Sequence, residues 1–79
     1  MSRILIVEDE PNARETLGEV FAGEHDVLLA EDVDEALERF EASPPDLVLT
    51  DILLPGERDG LDLLKEVRRR RPEVPVIVM

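Results

Sequence analysis

The sequence predicts an α/β fold built on a doubly wound parallel sheet. Four short apolar runs recur along it, at Ile4–Val7, Val27–Ala30, Leu47–Thr50 and Val76–Met79. They are continuous rather than alternating, the pattern of strands covered on both faces. Between them lie three segments with apolar residues at helical spacing, so the order is β-α-β-α-β-α-β.

The elements follow in order. After the run Ile4–Val7 comes an acidic turn, Glu8-Asp9-Glu10-Pro11-Asn12. Ala13, Leu17, Val20 and Phe21 then fall at i, i+4, i+7 and i+8, and Gly23 is the stop signal. The run Val27–Ala30 leads to Asp32 and Glu35, a start resembling a capping box. Val33, Ala36, Leu37 and Phe40 form the apolar face of the second helix, which Pro44-Pro45 ends. The run Leu47–Thr50 leads into Asp51. The third helix has Asp59 as N-cap, Gly60, Leu63, Leu64 and Val67 on its inner face, and Pro72 as its stop. Phe21 and Phe40 read as core anchors. Thr50 points to the opposite side of its strand from Asp51 and reads as packing. There is no linker, repeat or low-complexity stretch apart from Arg68–Arg71. Right-handed crossovers leave two strand orders open, 2-1-3-4 and simple sequential.

Length and composition bound the function. The 79 residues allow one small domain. About a third are Leu, Ile, Val or Phe, well above the roughly 20% below which chains stay disordered. With no Cys there is no disulfide framework and no thiolate metal site. No apolar run approaches the roughly 18 residues of a membrane span. Met1-Ser2-Arg3 runs straight into a strand, unlike a signal peptide, so a cytoplasmic location and no membrane partner are expected. The net charge of −11 disfavours nucleic acid and anionic membranes and suits cations or a basic partner. Arg68–Arg71 then read as a solvated helix end that complements the helix dipole. His25, a single histidine in a turn, reads as an ordinary loop residue.

In doubly wound sheets the site lies beyond the carboxyl ends of the strands, at the switch point. Strand 1 ends in Glu8 and Asp9, with Glu10 following, and strand 3 ends in Asp51. In a 2-1-3-4 sheet these strands are neighbours, and the carboxylates meet at one crevice. Hard oxygen ligands at close quarters suit Mg²⁺. The bland alternative makes Glu8, Asp9 and Glu10 helix N-terminal acids and Asp51 a hydrogen-bonded structural residue. Asp51 stands between Leu47-Val48-Leu49-Thr50 and Ile52-Leu53-Leu54, where a buried carboxylate without a partner is costly. The first strand–helix turn holds no glycine, which argues against a nucleotide cradle and for metal-assisted phosphoryl chemistry.

Four segments in order carry a resemblance: ILIVEDE at Ile4–Glu10, DLVLTDILLPG at Asp46–Gly56, DGLDLL at Asp59–Leu64 and PVIVM at Pro75–Met79. Together they resemble the receiver domain of bacterial two-component response regulators, over the whole chain, with some likeness to receivers that head transcriptional activators. The resemblance implies a flavodoxin-like doubly wound parallel sheet with strand order 2-1-3-4. It implies Asp51 as phosphoacceptor, Asp9 as a direct Mg²⁺ ligand, Glu8 as its acidic neighbour and the Leu53 backbone carbonyl as a further ligand, with Pro55 and Gly56 in the loop that follows. It also implies a sensor histidine kinase as phosphoryl donor and a phosphorelay role rather than that of a turnover enzyme. An ionised aspartate needs no general base to act as nucleophile.

Three departures stand out. Glu8 replaces the commoner Asp, the loop Pro55–Gly60 is one residue longer than usual, and the pattern halts at Met79. The family's hydroxyl residue and strand-end lysine would lie in roughly 40 further residues, and the sole lysine, Lys65, sits mid-helix. The domain is therefore expected to be a partial receiver at 1–79, with strand 4 as an exposed apolar edge through which copies self-associate. Two other readings stay open: an inactive or self-assembling fragment, and an Mg²⁺-dependent phosphotransferase or phosphatase. The latter needs an additional acid/base near Asp51; the simplest candidate would be a carboxylate two residues on, where Leu53 stands.

Overall fold

A computed structural model describes residues 2–79. The elements are β1 (Arg3–Val7), α1 (Pro11–Ala22), β2 (Asp26–Ala30), α2 (Val33–Ala42), β3 (Leu47–Thr50), α3 (Gly60–Arg70) and β4 (Val76–Val78). All four strands are parallel in the order β2-β1-β3-β4, so the sequential order is excluded. In register, Val7 lies beside both Ala30 and Thr50.

Strand alternation builds two cores. One face carries Leu5, Val7, Ala30 and Val48 against Val33, Ala36, Leu37 and Phe40 of α2 and Leu63 and Val67 of α3. The other carries Ile4, Ile6 and Leu49 beneath Leu17 and Phe21 of α1. Continuous apolar runs were expected to be covered on both faces. That holds for β1, where Ile4 to Val7 are all buried, but not for the edge strands. Val27, Leu28 and Leu29 of β2 are half-buried and Ile77 of β4 is 50% exposed. Both are edge strands paired on one side only, and α1 packs on β1 and β2 rather than on β4.

Two helix expectations need correction. Val20, placed on the inner face of α1, is 67% exposed. The helix is rotated so that Gly18, buried against Leu29, joins Leu17 and Phe21 on the sheet side. Phe21 is accordingly half-buried, whereas Phe40 is a true core anchor at 2% exposure. In α2, Asp32 caps the Glu35 N–H at 2.7 Å. The Glu35 carboxylate reaches back to the N–H of Glu31 rather than that of Asp32, so the box is not reciprocal. The complete capping box is on α3, between Asp59 and Asp62.

The positive stretch behaves as a solvated helix end. Arg69 and Arg70 both bond Glu66, Arg70 also reaches Glu41 of α2 at 2.7 Å, and Arg71 pairs with Glu73. His25 accepts the Ser2 N–H at Nδ1 and stands beside the Phe21 ring. Among the described residues no helix is long and apolar enough to cross a membrane.

Candidate functional site

The β1–β3 pairing sets two chain exits side by side. The Asp51 N–H still donates to the Val7 carbonyl at 3.0 Å, and the Glu8 N–H donates to the Ala30 carbonyl at 3.0 Å. Both residues therefore leave the carboxyl ends of the central strands in ladder geometry, with their backbones anchored. Asp9 follows at the turn. One carboxylate oxygen each from Glu8, Asp9 and Asp51 lies within 4.8 Å of the others. Asp9 is exposed, and Glu8 and Asp51 are half-buried.

Glu10 has a different role. Its two carboxylate oxygens accept the N–H groups of Asn12 at 3.1 Å and Ala13 at 2.7 Å, capping α1, with Pro11 in the first turn. The helix-cap reading thus applies to Glu10, and the clustered-carboxylate reading to the other three. Burial pushes the Glu8 carboxyl above its ordinary value. The Glu10 N–H, donated to Glu8 at 3.2 Å, pulls it back, and the charges of Asp51 and Asp9 add to the rise.

The environment of Asp51 differs from the expectation of an apolar stretch. The strand ends at Thr50. Ile52 is exposed and the Leu53 side chain is 75% exposed, so the carboxylate stands at the mouth of the crevice. The Leu53 N–H approaches Asp51 Oδ1 at 3.4 Å.

Three residues whose contacts here sequence reasoning missed shape this end of the sheet. Arg14 Nη1 donates to the carbonyls of Glu8 at 3.0 Å and Asp9 at 3.5 Å, bracing the acidic turn. Gly60 is seated on the backbone of the phosphoacceptor candidate: a Cβ there would fall 2.2 Å from the Asp51 carbonyl oxygen. Its N–H donates to the Ile52 carbonyl at 2.8 Å. The Asp-Gly pair at 59–60 signalled a helix start, but not this close approach. Thr50, fully buried, donates its hydroxyl to the Asp51 carbonyl at 2.9 Å.

Next to the crevice, a groove of about 460 Å³ runs between Asp32–Asp34 and the Pro55–Arg58 loop. Gly56 turns that loop at φ +95°, a left-handed conformation that glycine adopts freely, and Arg58 pairs with Asp34 across the groove.

Compared with known families, the chain matches the family model of the response regulator receiver domain over residues 4–79. This chain belongs to that family. As a receiver domain it is 41% identical over 78 residues to the nitrogen assimilation regulatory protein NtrX of Azorhizobium caulinodans, covering 96% of this chain and 17% of that protein. It is 42% identical over 80 residues to the regulatory protein AtoC of Escherichia coli, covering all of this chain and 17% of AtoC. The receiver thus spans only a small part of these regulators. Among solved structures, the receiver domain of NtrX from Brucella abortus superposes with a TM-score of 0.88 at 39% identity, covering 95% of this chain and 64% of that one. The non-phosphorylated HemR receiver domain of Leptospira biflexa superposes with a TM-score of 0.88 at 30% identity, covering 99% and 63%. The receiver's fold is therefore the flavodoxin-like sheet of its relatives.

Proposed function

We propose that this receiver domain accepts a phosphoryl group on Asp51 from a phosphohistidine of a sensor kinase, in a phosphorelay that switches a transcriptional output. The observation that carries this reading is the meeting of the Glu8, Asp9 and Asp51 carboxylates at the ends of the two central strands. Three all-oxygen, anionic donors so close together fit a hard divalent cation. Asp9, Asp51, Glu8 and the Leu53 backbone carbonyl are the groups that would hold Mg²⁺. When bound, the ion offsets the repulsion between carboxylates and the incoming phosphoryl group.

The chain's own residues supply the rest. Asp51 is the nucleophile: one carboxylate oxygen attacks phosphorus, the P–N bond of the donor breaks, and the imidazole leaves with the electron pair and takes a proton. Its backbone N–H, tied to Val7, keeps the attacking group at the strand end. Arg14 and the Glu10 cap hold the acidic turn in place so that Asp9 and Glu8 face Asp51. A turnover phosphatase would need a second acid/base, and Leu53 offers only hydrocarbon where the simplest candidate would stand.

Incubation with Mg²⁺ and acetyl phosphate tests the reading. The expected result is a single base-labile phosphoryl adduct, seen by intact mass, that is absent in Asp51→Asn. An adduct that persists in Asp51→Asn, or none in the wild type, overturns it.

A further inference from the structure

We infer that Thr50 is a positioning residue for Asp51, acting through the backbone carbonyl of Asp51; the inference rests on the reading of Asp51 as phosphoacceptor. Thr50 is the one buried polar side chain among the described residues. A buried hydroxyl takes a partner wherever one is available, and this one selects the carbonyl of the next residue, at 2.9 Å. That carbonyl lies just past the end of β3, where the ladder stops. The Thr50 carbonyl accepts the Met79 N–H and the Ile52 carbonyl accepts the Gly60 N–H, but no backbone N–H among the described residues reaches the Asp51 carbonyl. The hydroxyl fills the gap from one side. Gly60 closes on the same oxygen, with no room for a Cβ.

The backbone around Asp51 is therefore held at four points: the Asp51 N–H on the Val7 carbonyl, the Thr50 hydroxyl on the Asp51 carbonyl, the Ile52 N–H on the Met79 carbonyl at 3.1 Å, and the Gly60 N–H on the Ile52 carbonyl. Fixing the N–H and the carbonyl of one residue fixes the direction of its Cα–Cβ bond. The carboxylate is thereby aimed at Glu8 and Asp9 and brought under the Leu53 N–H. A supporting group of this kind sets the geometry of reacting and ligating atoms without touching them.

Thr50→Val keeps the shape and removes the hydroxyl, and Thr50→Ser keeps the hydroxyl. In the ¹⁵N-labelled chain, Thr50→Val is expected to move the Leu53 amide resonance and speed its hydrogen exchange. It is also expected to weaken Mg²⁺ binding and slow adduct formation with acetyl phosphate by about tenfold each. Thr50→Ser is expected to restore all of these. A merely structural hydroxyl would lower the melting temperature of Thr50→Val while leaving the Leu53 amide, the Mg²⁺ affinity and the rate at wild-type values, and that result overturns the inference. If Val at position 50 prevents folding, Thr50→Ala, which puts no methyl group against the carbonyl, is read in the same way. A wild-type chain that takes no phosphoryl group overturns the phosphoacceptor reading alone, because the Leu53 amide and the Mg²⁺ titration still decide what Thr50 does.

Discussion

Glu8 is where the electrostatics of the site act on the fold. Its carboxyl is raised first by burial and then by the charges of Asp51 and Asp9. A carboxyl raised in the folded state binds its proton more tightly there than in the unfolded chain. The metal-free fold therefore loses stability as pH rises from the ordinary value of 4.5 through the raised one, and stays penalised at neutral pH. Glu8→Gln removes that penalty. At pH 7 without metal it is expected to melt higher than wild type. With Mg²⁺ added, the order reverses, because wild type gains more from a ligand bound only by the folded state; thermal melts with and without the ion check both halves. Glu8, Asp9 and Asp51 were legible as the first charged residues after apolar runs. Glu10 was legible as one of three helix-start acids, but Arg14 and the backbone contacts of Thr50 and Gly60 were not, because apolar periodicity carries no record of where a carbonyl points.

At the scale of elements, spacing located every helix and strand and the inner faces of α2 and α3, but not the rotation of α1. Leu17, Val20 and Phe21 are equally apolar in sequence, and only packing on Leu29 decides that Gly18 faces inward and Val20 outward. A Cβ on Gly18 would meet the Leu29 side chain at 3.4 Å, an ordinary contact with a side-chain end that has room to turn. Gly18→Ala is therefore expected to stabilise the chain by about 0.5–1 kcal/mol, read as a higher urea midpoint with an unchanged slope. The α3 helix carries most of the acid sensitivity. Hydrogen bonds from Arg69 and Arg70 hold the Glu66 carboxyl down to about 2. The N–H of Asp62 does the same for Asp59, more weakly, and Glu73 is lowered by its own backbone N–H and by Arg71. A lowered carboxyl contributes stability above its unfolded pKa and loses it as pH falls through the folded one. Helical signal should thus decline between pH 4.5 and about 2, and Glu66→Gln should flatten that decline. The Arg68–Arg71 stretch was legible as a helix end, but the bridge from Arg70 to Glu41 depends on how α2 and α3 pack.

For the whole molecule, the decisive features are a sheet covered unevenly and a net charge of −11. On the α1 side, Ile77 and Met79 are 50% and 51% exposed, and β4 is paired on one side only, to β3. We propose that the 79-residue chain self-associates along this edge, against its own charge. Added salt, by screening that charge, is expected to strengthen association, and Ile77→Lys to abolish it; sedimentation equilibrium across salt concentrations checks both. The strand order was open in the sequence between two topologies, and the β1–β3 pairing that settles it also has a consequence in time. Asp9 and Asp51 stand about 40 residues apart in the chain, and they meet only when a non-local parallel pair has closed, the slow kind of event in folding. The carboxylates come together only once that slow pairing has passed its barrier, so a cation that bridges them should leave the refolding rate untouched and slow only the escape from the native state.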